Sequence, residues 1–488
     1  MMPAFGLALL GLVGIAVIAT GLPAALVLIG TACLGAAIAA LSGDVSIGLL
    51  SALPQRLINL LESDLLQAIP LYVLMGALID RLPLADALYR STLAVLPRAP
   101  AAPAVSGILL GGLLGPMNGS VGASVLALSR TVEPRLAASG MPLHRRAALV
   151  TAASTLGVVV PPSLVLILLG DAMLSAHTIA VTATGRDDRV INTQDVFHGA
   201  MAPAALYFIA CLGVAWWFNR AAKPEIVDAG TAPARPTARE AAAAVVTVLT
   251  VLILLGGVAL GYFYAVEAAA MGGFALLSAG IVSGRLPLAV LNAVLRDVLA
   301  LTGSLFFLLA AATSLTLMLR ILGTDQLVAH WVGAMPGGNL AAVAAVLGAI
   351  GLTALVLDAF EIIFVVVPIV IPPLLIRVDD AQWIAVLVLL TLQASFLNPL
   401  VGYAVMMTRT VLERPIAFTA LLRPLSPYIA TQAALLLLVL LLPQLTHVGE
   451  NAADRTRKPP AMSEQELQRR FRDLLPEPPA PPNFGPAK

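Results

Sequence analysis

The chain has 488 residues, 59% of them hydrophobic and 11% charged, with a net charge of +1. A soluble domain carries roughly 25% charged residues, so lipid has to solvate much of this surface, and the mean hydropathy of +0.95 agrees. The balanced charge excludes an electrostatic nucleic-acid binder, and the lysines Lys223, Lys458 and Lys488, none preceded by glycine, exclude a GK[ST] phosphate loop and the ATP-hydrolysing engine it would serve.

A helix needs about 20 apolar residues to cross the hydrocarbon. The first run, 4–20, lacks the basic start of a signal peptide. It passes over Gly21-Leu22-Pro23 into 22–41, so the pair is expected as a helical hairpin kept in the membrane. Full spans are then expected at 64–80, 147–175, 201–218, 242–262, 265–283, 298–320, 382–408 and 427–446. Two further apolar stretches, 104–128 and 340–376, carry interruptions and fit re-entrant hairpins better than spans. The polar segment 176–200, with Arg186-Asp187-Asp188-Arg189, is expected as an exposed outer loop, and His177, His198 and His330 as surface histidines. Cys33 and Cys211 sit in apolar runs and read as packing residues. Residues 447–488 are polar and proline-rich, so a disordered tail with at most a short helix at 463–475 is expected there.

Arginine placement sets the orientation. Arg81, Arg90 and Arg98 precede the stretch 104–128, and Arg130, Arg135, Arg145 and Arg146 follow it. That hairpin should enter and leave on the cytoplasmic side. The linker 219–241, with Arg220, Lys223, Arg235 and Arg239, should be cytoplasmic too. After 340–376 comes the net acidic Arg377-Val378-Asp379-Asp380, so the second hairpin should open outward. Five crossings per half place both termini outside and bring the second half in upside down. The expected fold is therefore an all-α integral membrane protein of two inverted repeats, 1–218 and 242–446, each with about five transmembrane helices and one re-entrant hairpin.

The interruptions themselves are duplicated. Gly115-Pro116-Met117-Asn118-Gly119-Ser120 breaks the first hairpin stretch, and Pro161-Pro162-Ser163 breaks the run after it. Asp358-Ala359-Phe360-Glu361 and Asn398-Pro399 do the same in the second half, at nearly the same separation. Broken segments at corresponding places in two halves mark the binding site of a secondary transporter. At the first tip, Asn118, Gly119, Ser120, Gly122 and Ser124 offer turns, hydroxyls and main-chain oxygens. Facing them are Ser154, Thr155, Gly157, Pro161 and Ser163, where two prolines remove amide donors and free carbonyls one turn earlier. A hard cation such as Na⁺ wants such oxygens. A glycine–serine packing surface with a proline kink would use the same residues; the second copy favours binding.

In the second hairpin, Asp358 and Glu361 share a helical face, where they either help hold a cation or proton or brace the hairpin. Ser395, Asn398 and Gly402 form the facing break. Glu267 is expected to cap a helix start. Arg409 either snorkels to the interface or meets an anionic substrate. No HExxH, GxSxG or clustered Cys/His pattern is present, so no hydrolase or metalloenzyme is indicated and no cofactor is expected beyond a coupling ion.

These residues resemble the large membrane subunit of a TRAP (tripartite ATP-independent periplasmic) transporter, the DctM family, over about 4–445. The resemblance is carried by Gly119-Ser120-Val121-Gly122-Ala123-Ser124, by Thr155-Leu156-Gly157 with Pro161-Pro162-Ser163, and by Tyr264-Ala265-Val266-Glu267-Ala268-Ala269-Ala270. Leu168-Leu169-Gly170-Asp171, Asp195-Val196-Phe197, Met335-Pro336-Gly337-Gly338, Leu357-Asp358-Ala359-Phe360-Glu361-Ile362 and Leu392-Gln393-Ala394-Ser395-Phe396-Leu397 are similar to the branch labelled mannitol/chloroaromatic-type. Departures stand at Tyr264-Ala265-Val266, where the family has TPT, and at Asn398-Pro399-Leu400, where it has paired prolines. The resemblance implies an elevator mechanism in a bacterial inner membrane and Na⁺ coupling. It implies two partners, a small four-helix membrane subunit (DctQ type) and a periplasmic substrate-binding protein (DctP or TakP type). The cargo it implies is an organic acid, such as a 2-oxo acid or another mono- or dicarboxylate. A self-sufficient anion symporter of the divalent-anion symporter kind is the alternative carrier, and an intramembrane enzyme or scaffold the alternative class.

Overall fold

The computed structural model describes residues 2–42, 51–62, 64–82, 84–96, 99–117, 120–186, 189–220, 237–398, 402–412 and 416–448, and among these it is all-helical. Asn118, Gly119, most of the linker 219–241 and nearly all of the tail 447–488 lie outside the described residues.

Seven helices form an outer group. They are α1 (Met2–Thr20), α2 (Ala24–Ser42), α3 (Ala52–Leu61), α4 (Asp64–Arg81), α5 (Leu84–Val95), and, from the second half, helices running over Ala238–Ala259 and Ala265–Val282. The long Leu288–Ile321 helix packs on α2 and α4 and joins this group. The apolar runs of α1, α2 and the three second-half helices expose most of their surface, as lipid-facing helices do, whereas α4 is packed between them with Leu66, Ile69, Tyr72, Leu78 and Ile79 buried. The interior is different. The run Leu143–Thr184 has 94% of its apolar window buried, and Ala359–Arg377 has 78%, against 17–39% for the other long apolar helices. The polypeptide at the centre is thus the interrupted part of each half.

The first half continues with α6 (Ala102–Leu114), a 3₁₀ turn (Gly115–Met117), α7 (Val121–Thr131), α8 (Glu133–Ala138), α9 (Leu143–Val159), α10 (Leu164–Thr184) and α11 (Thr193–Asn219). Glycine recurs every fourth residue along α6 and into the turn after it, at Gly107, Gly111 and Gly115, and this small-residue stripe lets α9 approach backbone to backbone. A methyl group on Gly107 would sit 2.7 Å from Leu149, one on Gly111 2.7 Å from the Cβ of Ala153, and one on Gly115 2.7 Å from Gly157. The matched ascent shows that α6 and α9 run parallel. The chain then turns back. The methyl on Gly107 would also meet Val132 at 3.0 Å, and Glu133 pairs with Arg146 at 2.7 Å, at the start of α9. The segment α6–α7 therefore enters and leaves at one end, as a re-entrant hairpin.

In the second half, α12 (Ala238–Ala259) starts with a capping box of Thr237 with Glu240, and α13 (Ala265–Val282) with Glu267 reaching back to the Tyr264 main chain. The cap expected of Glu267 is thus present: its Oε2 accepts from the Tyr264 N–H at 2.9 Å. Then come α14 (Leu288–Ile321), α15 (Thr324–Ala334), α16 (Gly338–Thr353), α17 (Ala359–Glu361) leading through a π turn into α18 (Val367–Arg377), α19 (Ala381–Phe396), α20 (Tyr403–Val411) and α21 (Phe418–Leu441). Here too the chain returns to its entry point. The Arg377 guanidinium at the end of α18 donates to the carbonyls of Val332 (3.0 Å) and Met335 (2.9 Å) and to Asn339 Oδ1 (3.3 Å), beside the first turn of α16.

The two hairpins enter from opposite ends. α9 starts at the base of the first, and α10 ends at the base of the second, where Arg186 donates to the Ile376 carbonyl at 2.6 Å and pairs with Asp379. α19 starts at that second base, and α20 runs back alongside α7 and α9, with Thr408 on Thr151 at 3.0 Å.

Several expectations change. The run 64–80 is α4, which qualifies as a span only together with α3; among the described residues nine helices are long and apolar enough to cross alone. Its polar ends, Asp64 and Asp80, and Pro70 and Gln67 lower its hydropathy. Residues 176–184 and 193–200 extend α10 and α11 instead of forming a loop. His177 is buried, not a surface residue: its Nδ1 accepts from the Ile191 N–H at 3.1 Å and holds the short connection onto α10. His198 is half-buried on α11 and His330 is exposed on α15. Cys211 is buried as expected, whereas Cys33 is exposed on α2.

Candidate functional site

The first hairpin tip meets the α9–α10 break at a cavity of about 20 Å³ lined by Gly115, Ser120, Ser124, Ser154, Gly157 and Ser163 among others. A single water-sized guest needs about 10–15 Å³, so the space admits one small species. Sequence dictates each wall. Pro161 and Pro162 have no N–H, so Gly157 and Val158 lose the donors that would continue α9. Ser163 repairs part of this loss: its hydroxyl donates to the Val158 carbonyl at 2.7 Å and accepts from Leu166 N–H at 3.1 Å, capping α10. Ser120 caps α7 in the same way, accepting from Ala123 N–H at 3.1 Å. Ser124 donates to the Ser120 carbonyl at 3.2 Å and Ser154 to the Thr151 carbonyl at 2.8 Å.

The chemistry of this wall is uniform. The hydroxyls of Ser124, Ser154 and Ser163 donate their protons to main-chain carbonyls, so they face the cavity as oxygen acceptors rather than donors. No carboxylate of the described residues lines the cavity. Among the described residues no group of three His, Cys, Asp or Glu could hold a metal ion. Neutral oxygens without thiolate, imidazole or multiple carboxylates suit a weakly held monovalent cation, and do not suit a transition metal or Ca²⁺.

Other residues expected at this site are placed nearby but not in its wall. Gly122 faces α20, where a methyl group would lie 2.6 Å from Tyr403 Oη. Thr155 faces α19, where Gln393 Nε2 donates to its Oγ1 at 3.1 Å. Pro161 lines a separate apolar crevice with Phe208 and Leu252.

The second junction is built differently. Asp358 and Glu361 form a capping box at the return of the hairpin: Asp358 Oδ1 accepts from Ala359 N–H at 2.8 Å, and Glu361 Oε2 accepts from Asp358 N–H at 3.1 Å. Both acids thus cap the turn at the return of the hairpin. Ser395 donates to the Leu392 carbonyl at 2.6 Å, and Asn398 N–H to the Ser395 carbonyl at 3.1 Å. Gly402 closes the break: its N–H donates to the Asn398 carbonyl at 2.8 Å, and a methyl there would lie 2.6 Å from the Phe396 oxygen. Only glycine fits that approach. Ser395 and Asn398 face an open groove of about 410 Å³ between α16, α19 and α21, with Gly348, Gly351 and Thr391. Asp358 and Glu361 do not line it.

Arg409 sits in the last turn of α20, its Nε donating to the Ile416 carbonyl at 3.3 Å. Tyr403, six residues earlier, marks the tip level, so Arg409 lies roughly 9 Å further along the helix, toward the base of the first hairpin.

Sequence reasoning passed over Gln393 as a contact residue, and Tyr403, Thr151 and Thr408 altogether. A fully buried glutamine in the apolar run 381–396 was the available signal.

Comparison with known proteins matches residues 11–445 to the family described as the tripartite ATP-independent periplasmic transporter, DctM component. The chain is 23% identical over 401 residues to the C4-dicarboxylate TRAP transporter large permease protein DctM of Rhodobacter capsulatus, covering 80% of this chain and 88% of that one. It is 21% identical over 392 residues to the 2,3-diketo-L-gulonate TRAP transporter large permease protein YiaN of Escherichia coli, with coverage of 80% and 88%. To the ectoine TRAP transporter large permease protein TeaC of Halomonas elongata it is 22% identical over 408 residues, covering 82% and 89%. Among solved structures, the Alcanivorax borkumensis YdaH transporter shares the fold, with a TM-score of 0.59 at 15% identity over 81% of this chain and 88% of that one.

Proposed function

Because this chain belongs to the DctM component family of the tripartite ATP-independent periplasmic transporters, and is thus a multi-pass membrane transporter subunit rather than an enzyme, we propose that it carries an organic acid inward together with Na⁺. The observation that carries the reading is the cavity of about 20 Å³ between the first hairpin tip and the α9–α10 break, walled by serine hydroxyls and opened main chain. Such freed carbonyls coordinate coupling ions in carriers built from broken helices. The proposed substrate is a 2-oxo acid or another mono- or dicarboxylate. Dicarboxylate and diketogulonate relatives support it, whereas an ectoine relative shows how far cargo varies.

The proposed assembly adds a small four-helix membrane subunit and a periplasmic binding protein, in a bacterial inner membrane. The two halves, 1–218 and 242–446, act as inverted repeats, and the hairpins with α9, α10, α19 and α20 move as a unit against the outer helices. Clustering of Arg135, Arg145, Arg146 and Arg409 at the base of the first hairpin supports a cytoplasmic position for that end. The linker 219–241 then lies in the cytoplasm and both termini in the periplasm.

The test is uptake by proteoliposomes containing both membrane subunits and supplied with the binding protein and a radiolabelled carboxylate. Uptake should rise with an inward Na⁺ gradient and collapse when choline replaces Na⁺. Uptake indifferent to that gradient overturns the coupling, and full uptake by this chain alone favours the self-sufficient symporter instead.

A further inference from the structure

The ion site leaves unused a cavity of about 510 Å³ at the other end of α9, where α11 ends and α21 begins. Its charged wall is made by the Arg145 and Arg423 guanidiniums, with His144, Asn219 and Thr419 as the other polar lining, and no carboxylate of the described residues lines it. Arg81, Arg90, Arg135, Arg146, Arg186 and Arg189 each pair with an acid. Among the described residues Arg145 and Arg423 do not; Arg145 only reaches the Phe218 carbonyl at 3.4 Å. α9 starts after Pro142, which supplies no side-chain cap, so the positive end of its dipole adds to the same field.

The remaining wall is apolar, from Leu149, Val214, Pro424 and Tyr428. Beside it the last turn of α11 exposes Trp216, Trp217 and Phe218, and the Arg220 guanidinium lies 3.4 Å from the Trp217 ring centre. Adjacent exposed tryptophans with a stacked arginine mark the depth of the membrane–water interface. A cavity at that depth with a cationic mouth and an apolar flank matches an amphiphile of the bilayer better than a small soluble ion.

We propose that this cavity binds an anionic phospholipid, its phosphate held between Arg145 and Arg423 and an acyl chain lying along the Leu149–Tyr428 wall. Basic pockets between transmembrane helices are the usual seat of such headgroups. The site fastens the start of α9 to the lipid leaflet and is independent of the ion site.

The test uses the purified full chain in a neutral detergent and reads tryptophan fluorescence, two of the four tryptophans being Trp216 and Trp217. Phosphatidylglycerol with brominated acyl chains should quench at about tenfold to thirtyfold lower mole fraction than brominated phosphatidylcholine, given two arginines at the phosphate. R145Q/R423Q should bring the two lipids level while R296Q, an exposed arginine on α14, should not. Should the double variant fail to fold by its melting temperature, R145Q and R423Q singly should each give an intermediate loss. Trp216→Phe/Trp217→Phe should remove the difference in quenching. Equal quenching by both lipids, or a wild-type response in R145Q/R423Q, overturns the proposal. So does displacement of the lipid by millimolar inorganic phosphate, which would make this a free-anion site. A gain of phosphatidylglycerol binding in E225Q/D228N overturns it too, since acids of the linker would then be the occupant.

Discussion

Thr155 and Gln393 meet where α9 and α19 cross, the Gln393 amide donating to the Thr155 hydroxyl at 3.1 Å with both side chains fully buried. This is a hydrogen bond between the two halves of the chain, 238 positions apart, at the level where both central helices break. α9 arrives from the base of one hairpin and α19 from the base of the other, so this bond joins the two where both end.

Gln393→Met keeps volume but loses the bond, and should lower stability in detergent by about 1 kcal/mol. Thr155→Val should cost a similar amount. The double variant should cost no more than either alone, because one interaction is shared. Additive losses in thermal unfolding would show that the two residues act separately.

The glycine stripe makes a sharper contrast. Gly157→Ala drives a methyl into the backbone of Gly115, and Gly111→Ala places one 2.5 Å from the Ala153 oxygen. Each should destabilise by about 1–3 kcal/mol. Gly213→Ala on α11 meets nothing within 4 Å. It should be neutral or stabilising by up to about 1 kcal/mol, since alanine is the better helix former. Melting temperatures of the three variants check the order.

Serines around the small cavity should separate by what else they hold. Ser124→Ala removes a hydroxyl but leaves the Ser120 carbonyl bonded to the Ser124 N–H at 3.1 Å. Its Na⁺ requirement for half-maximal uptake should rise only a few-fold, by roughly half a tenfold step. Ser163→Ala also uncaps α10 and orphans the Val158 carbonyl. It should cost about 1 kcal/mol of stability and raise the Na⁺ requirement further, by about tenfold. Na⁺ titrations of uptake with matched protein amounts decide it.

Asp358 can be split into cap and charge. Asparagine caps a helix about as well as aspartate, and glutamine serves at the third position of a capping box. Asp358→Asn and Glu361→Gln should therefore fold like the parent, whereas Asp358→Ala should lose about 1 kcal/mol. If the carboxylates also serve the cation, Na⁺-dependent uptake should fall in Asp358→Asn despite the intact cap. Unchanged Na⁺ dependence there would confine both acids to bracing the hairpin.

Much of the architecture was legible because breaks in apolar runs are local events. Pro161-Pro162, Gly115-Pro116 and Asn398-Pro399 interrupt hydrogen bonding wherever they stand, so the interrupted segments and their pairing could be read before any contact was known. Ser120, Ser124, Ser154, Gly157 and Ser163 do converge on one cavity. His177 was misread because polarity in a short segment suggests a loop, while burial depends on α10 and α11 being longer than their apolar cores. Thr155, Gly122 and Pro161 were grouped with the cavity by proximity in sequence, yet neighbouring residues on a helix face different partners, about 100° apart.

Hydrophobicity and backbone chemistry, which act residue by residue, were enough to determine that this is a membrane protein, where its helices break and which oxygens those breaks release. Which oxygens share a cavity, that Asp358 and Glu361 cap a turn without lining the Ser395–Asn398 groove, and that Gln393 finds Thr155 were decided only in three dimensions. Those outcomes rest on the rotation and depth of α9 against α19 and α6, which are set by packing between segments far apart in the chain.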